Sequence, residues 1–172
     1  MEFVRKAGNL YCEGTNLWLQ LSSYRLPSPK VKTENHTPGG GRMELAVPVG
    51  SIEALTLAFN TISANPNLHG GMGLALAQAK LWTIYELLVD ERSNTKRERI
   101  VTMRGIYQSA EADEMKGRGL KGYQHTITSI TDYEDVIEGY GIVARFNFWR
   151  NEWAGYGIEA DNQDNSILRI AG

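Results

Sequence analysis

Apolar and polar residues alternate with a period of two along most of this chain. A chain patterned in this way is suited to half-buried antiparallel strands rather than helices. In "TNLWLQLS", Leu17, Leu19 and Leu21 fall on one face and Asn16, Trp18 and Gln20 on the other. The same rhythm runs through Leu45, Val47 and Val49 of "MELAVPV", where Pro48 requires an edge or a bulge, and through Leu55, Leu57 and Phe59 of "SIEALTLAFN". "AKLWTIYELLV" and "KRERIVTMRGIY" read as a hairpin across the polar "DERSNT" connection. "YQHTITSIT" supplies a further strand after the loop "EMKGRGLKG", and "GIVARFNFW" with "WAGYGIEA" reads as a last hairpin turning at Arg150-Asn151-Glu152. Helix signals are confined to "GMGLALAQAKL" and to "SAEADEMK", where Ser109 is a candidate N-cap.

The expected architecture is mainly β: an antiparallel β-sandwich or partly open barrel of about seven to eight strands, with one or two short helices. No repeat or second compositional regime divides the 172 residues, so one domain spanning 1–172 is expected. Folding a chain of this length buries on the order of 70% of its unfolded surface, enough for a core without metal or disulfide staples. Cys12, the single cysteine, has no intrachain partner and reads as a reduced, half-buried strand residue. A net charge of −2 does not suggest affinity for nucleic acid, and no run approaches the roughly 20 apolar residues of a membrane span. The N-terminus lacks the apolar region of a secretion signal, which makes the Asn35-His36-Thr37 sequon incidental.

Catalytic signatures do not assemble. "HGGMG" from His69 resembles an oxyanion loop, but no G-x-S-x-G elbow accompanies it. "KGRGLKG" lacks the Ser or Thr of a phosphate loop. His36, His69 and His125 are scattered, and Asp132, Glu134, Asp135 and Glu138 lack a calcium-loop pattern and read as a solvated strand end. No enzyme, cofactor or metal is expected.

One stretch breaks the rhythm. "LPSPKVKTENHTPGGGRM", Leu26 to Met43, holds three of the five prolines and a triple glycine. Pro27 and Pro29 bias the chain toward extension, and the glycines supply a reversal. If the two legs pair, they form an extended hairpin arm over 26–43 reaching about 25 Å from a body about 40 Å across. So polar an arm has little reason to pack on its own core and is suited to touching another molecule.

This segment resembles the corresponding part of the major tail tube proteins of contractile-tailed bacteriophages and R-type pyocins. Leu26, Pro27, Lys32, Thr33, Glu34, Gly40, Gly41 and Met43 carry the likeness, and "VTMRGIYQSAEAD", Val101 to Asp113, resembles that family's strand ending in Met-Arg-Gly. The similarity runs over roughly residues 10 to 135; the ending from Gly139 is richer in aromatics than the family's. The resemblance implies a structural subunit of a virion tail, assembled in the bacterial host cytoplasm, whose hexameric rings stack inside a contractile sheath. The partners implied are further copies of itself, the sheath, tape-measure, terminator and baseplate proteins, and viral DNA in transit without specific binding. The arm would be the contact between rings, through Pro27, Lys30, Lys32, Glu34, Gly40, Gly41, Arg42 and Met43. A conduit for DNA should not grip it, so a neutral to acidic bore is expected, with the basic arm residues used between subunits. The alternatives are the tube of a pyocin-like or secretion-system particle, and a monomeric β-barrel binding a small ligand.

Overall fold

The computed structural model describes residues 3–70, 78–158 and 163–170. Eleven strands and two short helices follow in the order β1 (Phe3–Cys12), β2 (Thr15–Asn16), β3 (Leu21–Arg25), β4 (Val31–His36), β5 (Leu45–Ile52), β6 (Leu57–Thr61), α1 (Pro66–His69), β7 (Ala79–Asp90), β8 (Lys96–Ala112), β9 (Tyr123–Ile137), β10 (Gly141–Asn147), β11 (Glu152–Gly155) and α2 (Gln163–Leu168). The count exceeds seven or eight because β1 and the outgoing arm strand β4 add to the segments read from the sequence, and "TNLWLQLS" divides between β2 and β3. No described helix is long and apolar enough to cross a membrane.

Nine strands form one antiparallel sheet in the order β11-β10-β9-β8-β7-β1-β2, with β6 joined to β9 and β3 to β6. β9 changes partners along its length: Tyr123–Ile127 pairs with β6, and Asp132–Ile137 with β10. The change happens at a bulge where one β8 residue opposes three of β9, between the pairs Arg104↔Asp132 and Ile106↔Thr128, with Ser129 at φ 50°. Gly105 faces this bulge. A Cβ there would lie 2.9 Å from Ile127 Cγ2 and 3.1 Å from the Thr128 carbonyl oxygen, so the crossing needs a residue without a side chain.

The bend turns β6 and β3 back toward β1. Tyr24 of β3 rests where a side chain on Gly8 of β1 would otherwise be. β1 and β3 do not pair, so the barrel stays partly open along this seam. Between the layers lie Trp82, Phe59, Leu10, Leu17, Leu57, Ile84, Met103, Ile127 and Val101, all fully buried. Burying one such side chain is worth about 1.5–3 kcal/mol.

Several local expectations are corrected. "TNLWLQLS" is not one strand: Leu17 accepts from the Gln20 and Leu21 N–H groups, a turn intervenes, and Leu19 is 72% exposed while Leu17 is buried. "SAEADEMK" does not begin a helix, because Ser109–Ala112 complete β8 in register with Thr126–Tyr123 of β9, and ladder pairing overrides the local cap signal. Of "GMGLALAQAKL", residues 71–77 lie outside the described ones and Ala79 already starts β7. The last hairpin turns through Phe148–Asn151, with Glu152 already in β11. Cys12 is buried rather than half-buried, and burial pushes its thiol up to about 11.

Candidate assembly surfaces

β4 and β5 pair only with each other, in a two-stranded sheet separate from the body. The arm is therefore a true hairpin, longer than the 26–43 segment because its return leg runs to Ile52. Its register is Val31↔Ile52, Thr33↔Pro48, Glu34↔Val47, Asn35↔Ala46 and His36↔Leu45, with a bulge opposite Lys32 where Gly50 takes φ 76°. Gly40 takes φ 78° in the connection, and the Gly41 N–H donates to the Pro38 carbonyl at 2.7 Å. At the root, the Glu53 N–H donates to the Lys30 carbonyl at 2.8 Å, Leu26 packs on the core and Pro27 is buried. From Ser28 to Ser51 every residue is exposed.

The arm's two faces differ. Lys32, Glu34 and His36 share one face with Leu45 and Val47, and Val49 follows in the same alternation. Leu45 is 65% exposed and Met43, in the connection, 81%. Lys30, Lys32, Glu34, Arg42 and Glu44 make no ion pair among the described residues. An isolated two-stranded hairpin is marginal in water, and this one holds an apolar row in solvent. The sequence pattern places those residues on one face but does not reveal that their own core leaves them bare.

A buried polar network ties the strand that leads into the arm to the main sheet. The Tyr24 hydroxyl donates to Glu86 Oε1 at 2.6 Å, and the Arg99 guanidinium reaches Glu86 Oε2 at 3.0 Å and both Asp135 oxygens at 2.8 and 2.5 Å. Arg5 adds a contact to Glu86 at 3.2 Å. Asp135 is thus a buried partner rather than part of a solvated strand end, because cross-strand neighbours supply its counter-charge. Burial, and then the bond to Glu86, push the Tyr24 hydroxyl well above its ordinary value.

His125 is buried between β6, β8 and β9 and stacks on Phe59 at 4.6 Å. Its Nδ1 meets the Tyr107 hydroxyl and its Nε2 meets Thr61 Oγ1 at 2.9 Å, while Thr61 donates onward to the Ser63 carbonyl at 3.1 Å. This chain of donors assigns a neutral imidazole protonated on Nε2. Burial, and then the nearby His69, push His125 down to about 4. The cluster ties β6, β8 and β9 together; among the described residues no group of three His, Cys, Asp or Glu could bind a metal. His69 closes the one-turn α1 below its Asn65 cap, and Gly71–Gly73 of "HGGMG" lie outside the described residues.

The family described as phage tail tube protein FII matches residues 5–144. The chain belongs to this family of phage tail tube proteins. It is a structural protein and not an enzyme. Among solved structures it is similar to a chain in the sheath–tube complex of the PVC extracellular contractile injection system in its extended state, at 10% identity and a TM-score of 0.50, covering 74% of this chain and 86% of that one. It is also similar to a chain of the same system's sheath/tube terminator, at 11% identity and a TM-score of 0.50, covering 77% and 93%. A comparison with curated protein sequences finds no match. At such identities the likeness is one of fold: a curled antiparallel β domain. The tail tube match ends just before the aromatic β10–β11 turn, so Phe148 and Trp149 belong to this chain's own ending.

Proposed function

We propose that residues 1–172 form one tube-subunit domain whose copies close head to tail into hexameric rings, and that the rings stack into a hollow tube inside a contractile sheath. The supporting observation is the arm: a free-standing hairpin, exposed from Ser28 to Ser51, with an apolar row on one face and two open edges. Such a feature is a liability on a monomer and an asset in a heterologous contact that repeats. The reading includes a count of six, terminator, tape-measure and baseplate partners, location in the virion tail, assembly in the host cytoplasm and DNA ejection, as expected of a tail tube subunit.

On this reading Lys30, Lys32, Glu34, Gly40, Gly41, Arg42 and Met43 belong to contacts between rings, and Pro27, buried at the root, fixes the arm's exit. The bore is neutral to acidic, so that DNA slides rather than binds. Negative-stain electron microscopy with light scattering, before and after deletion of Thr33–Arg42, tests the arm's part. Rings or tubes that lose stacking on deletion support it, and tubes that stack equally well without the arm overturn it.

A second reading, the tube of an injection particle rather than of a virus, is favoured by the source of the two structural neighbours, both from an extracellular contractile injection system. Capsid and terminase genes beside the coding sequence would decide for the virus.

A further inference from the structure

The open face of the main sheet carries a cleft that the fold leaves unused. Its volume is about 560 Å³, and its floor is Tyr85 and Leu87 of β7. Trp18, 62% exposed, lines it from the turn after β2. The turn that carries it is held in place: the Trp18 backbone N–H donates to Asn16 Oδ1 at 3.0 Å, Asn9 donates to the same oxygen at 3.0 Å, and Asn16 donates to the Tyr11 hydroxyl at 3.0 Å. Tyr11 in turn meets Tyr85 edge to face at 5.4 Å. A turn fixed in this way presents the exposed indole beside an apolar floor, where it can cover an occupant.

Glu98 and Glu138 line the same cleft, together with Lys96 and Arg97. Arg97 is already engaged: it donates to the Glu138 carbonyl at 2.8 Å and its guanidinium lies over the rings of Phe3 and Tyr140. The cleft therefore offers an aromatic wall, an apolar floor and, at its margin, two carboxylates with Lys96 beside them. That chemistry suits a short segment carrying one flexible apolar side chain beside one cation, the apolar group on the floor and the cation on the carboxylates.

The arm tip carries this pair. Arg42 and Met43 are neighbours in the connection from β4 to β5, both exposed and without an ion pair among the described residues. Methionine adapts to irregular apolar walls and its sulfur is attracted to ring edges. The six residues of β4 carry the tip about 20 Å from the root, and the arm is exposed throughout, so its own tip does not fill its own cleft.

We propose that this cleft is the socket for the arm tip of a second copy, with Met43 against Trp18 and Tyr85 and with Arg42 on Glu98 and Glu138. The proposal rests on the tube reading and names the receiving surface that reading lacks. Each copy then offers one tip and one socket, and such a contact repeats from ring to ring without closing.

A charge exchange tests it. R42E alone and E98R/E138R alone each set like charges together, and each should raise the protein concentration needed for tube formation at least about tenfold. An equimolar mixture should recover wild-type assembly, since R42E tips then meet E98R/E138R sockets and unaltered tips meet unaltered sockets. Matching urea midpoints for both variants keep misfolding out of the comparison. As an independent check, M43C protein mixed with L87C protein under mild oxidation should give a cross-linked dimer, which neither gives alone. Variants that assemble like the wild type, or a mixture that fails to recover, overturn the socket while leaving the tube reading in place; a tip seated elsewhere, or the β8–β9 loop seated here, gives this result. Wild-type protein that stays monomeric throughout overturns both readings.

Discussion

Tyr24 and Glu86 meet through a 2.6 Å hydrogen bond that spans the open seam of the barrel, from the strand entering the arm to the centre of the main sheet. Glu86 is wholly buried, so the bond replaces one with water. Tyr24→Phe keeps the ring against Gly8 but removes the donor, and should cost about 1–3 kcal/mol in chemical denaturation. Faster amide exchange confined to β3 and the arm root should accompany it. An unchanged midpoint would show that the seam is held by packing alone.

Arg99 is the cation that lets two carboxylates, Glu86 and Asp135, share the interior. Arg99→Met leaves Asp135 without its counter-charge and Glu86 with only its contact to Arg5. Removing one partner of a buried pair typically costs about 3–5 kcal/mol, a large share of a small domain's stability. Expression as insoluble protein, or a urea midpoint far below the wild type's, is expected. A soluble variant of wild-type stability would mean that the carboxylates take up protons on losing the arginine.

The neutral His125 makes stability depend on pH. Its folded-state value, about 4, lies below the ordinary imidazole value, so between pH 6.5 and 4 the unfolded chain takes up a proton that the folded chain refuses. Stability is full above this window and falls as pH drops through it, by up to about 3 kcal/mol. His69, Tyr107 and Tyr123 are the titratable neighbours, and burial pushes Tyr107 up to about 12, so it stays a donor throughout. Urea midpoints at pH 7.5 and 4.5 should separate for the wild type and converge for His125→Gln. An equal separation in both would place the titration elsewhere.

Gly105 sits where β8 crosses the β9 bulge, and one of the atoms a Cβ would meet is backbone, which yields less than a flexible side-chain end. Gly105→Ala should cost about 1–3 kcal/mol through overpacking, read as a lowered thermal midpoint. The expectation fails if the variant melts with the wild type.

The long hairpin of β7 and β8, and the buried row Leu55, Leu57 and Phe59, were legible because alternation and turn residues agree there. Leu19 was not, since a single turn after Leu17 reverses which face it shows. The network of Glu86, Arg99 and Asp135 was hidden for a different reason: charged residues in strands usually face solvent, and only the register brings the three together. The arm was legible as an extended excursion from its prolines and glycines. Its return strand was legible only as a strand, because alternation says that one face wants cover without saying whether the cover is the chain's own core or another copy.

Leu45, Val47 and Val49 separate those two kinds of cover. All three are exposed, so replacing them together with threonine should leave monomer stability within about 0.5 kcal/mol of wild type, the range of ordinary surface changes. On the proposed tube reading the same row becomes buried against a neighbour, and each replacement should then weaken assembly by about 1 kcal/mol. Thermal melting of the monomer and the critical concentration for tube formation give the two numbers. A large fall in monomer stability would mean that the arm folds back onto its own body in solution. Unchanged assembly would mean that the arm's charged residues alone carry the contact.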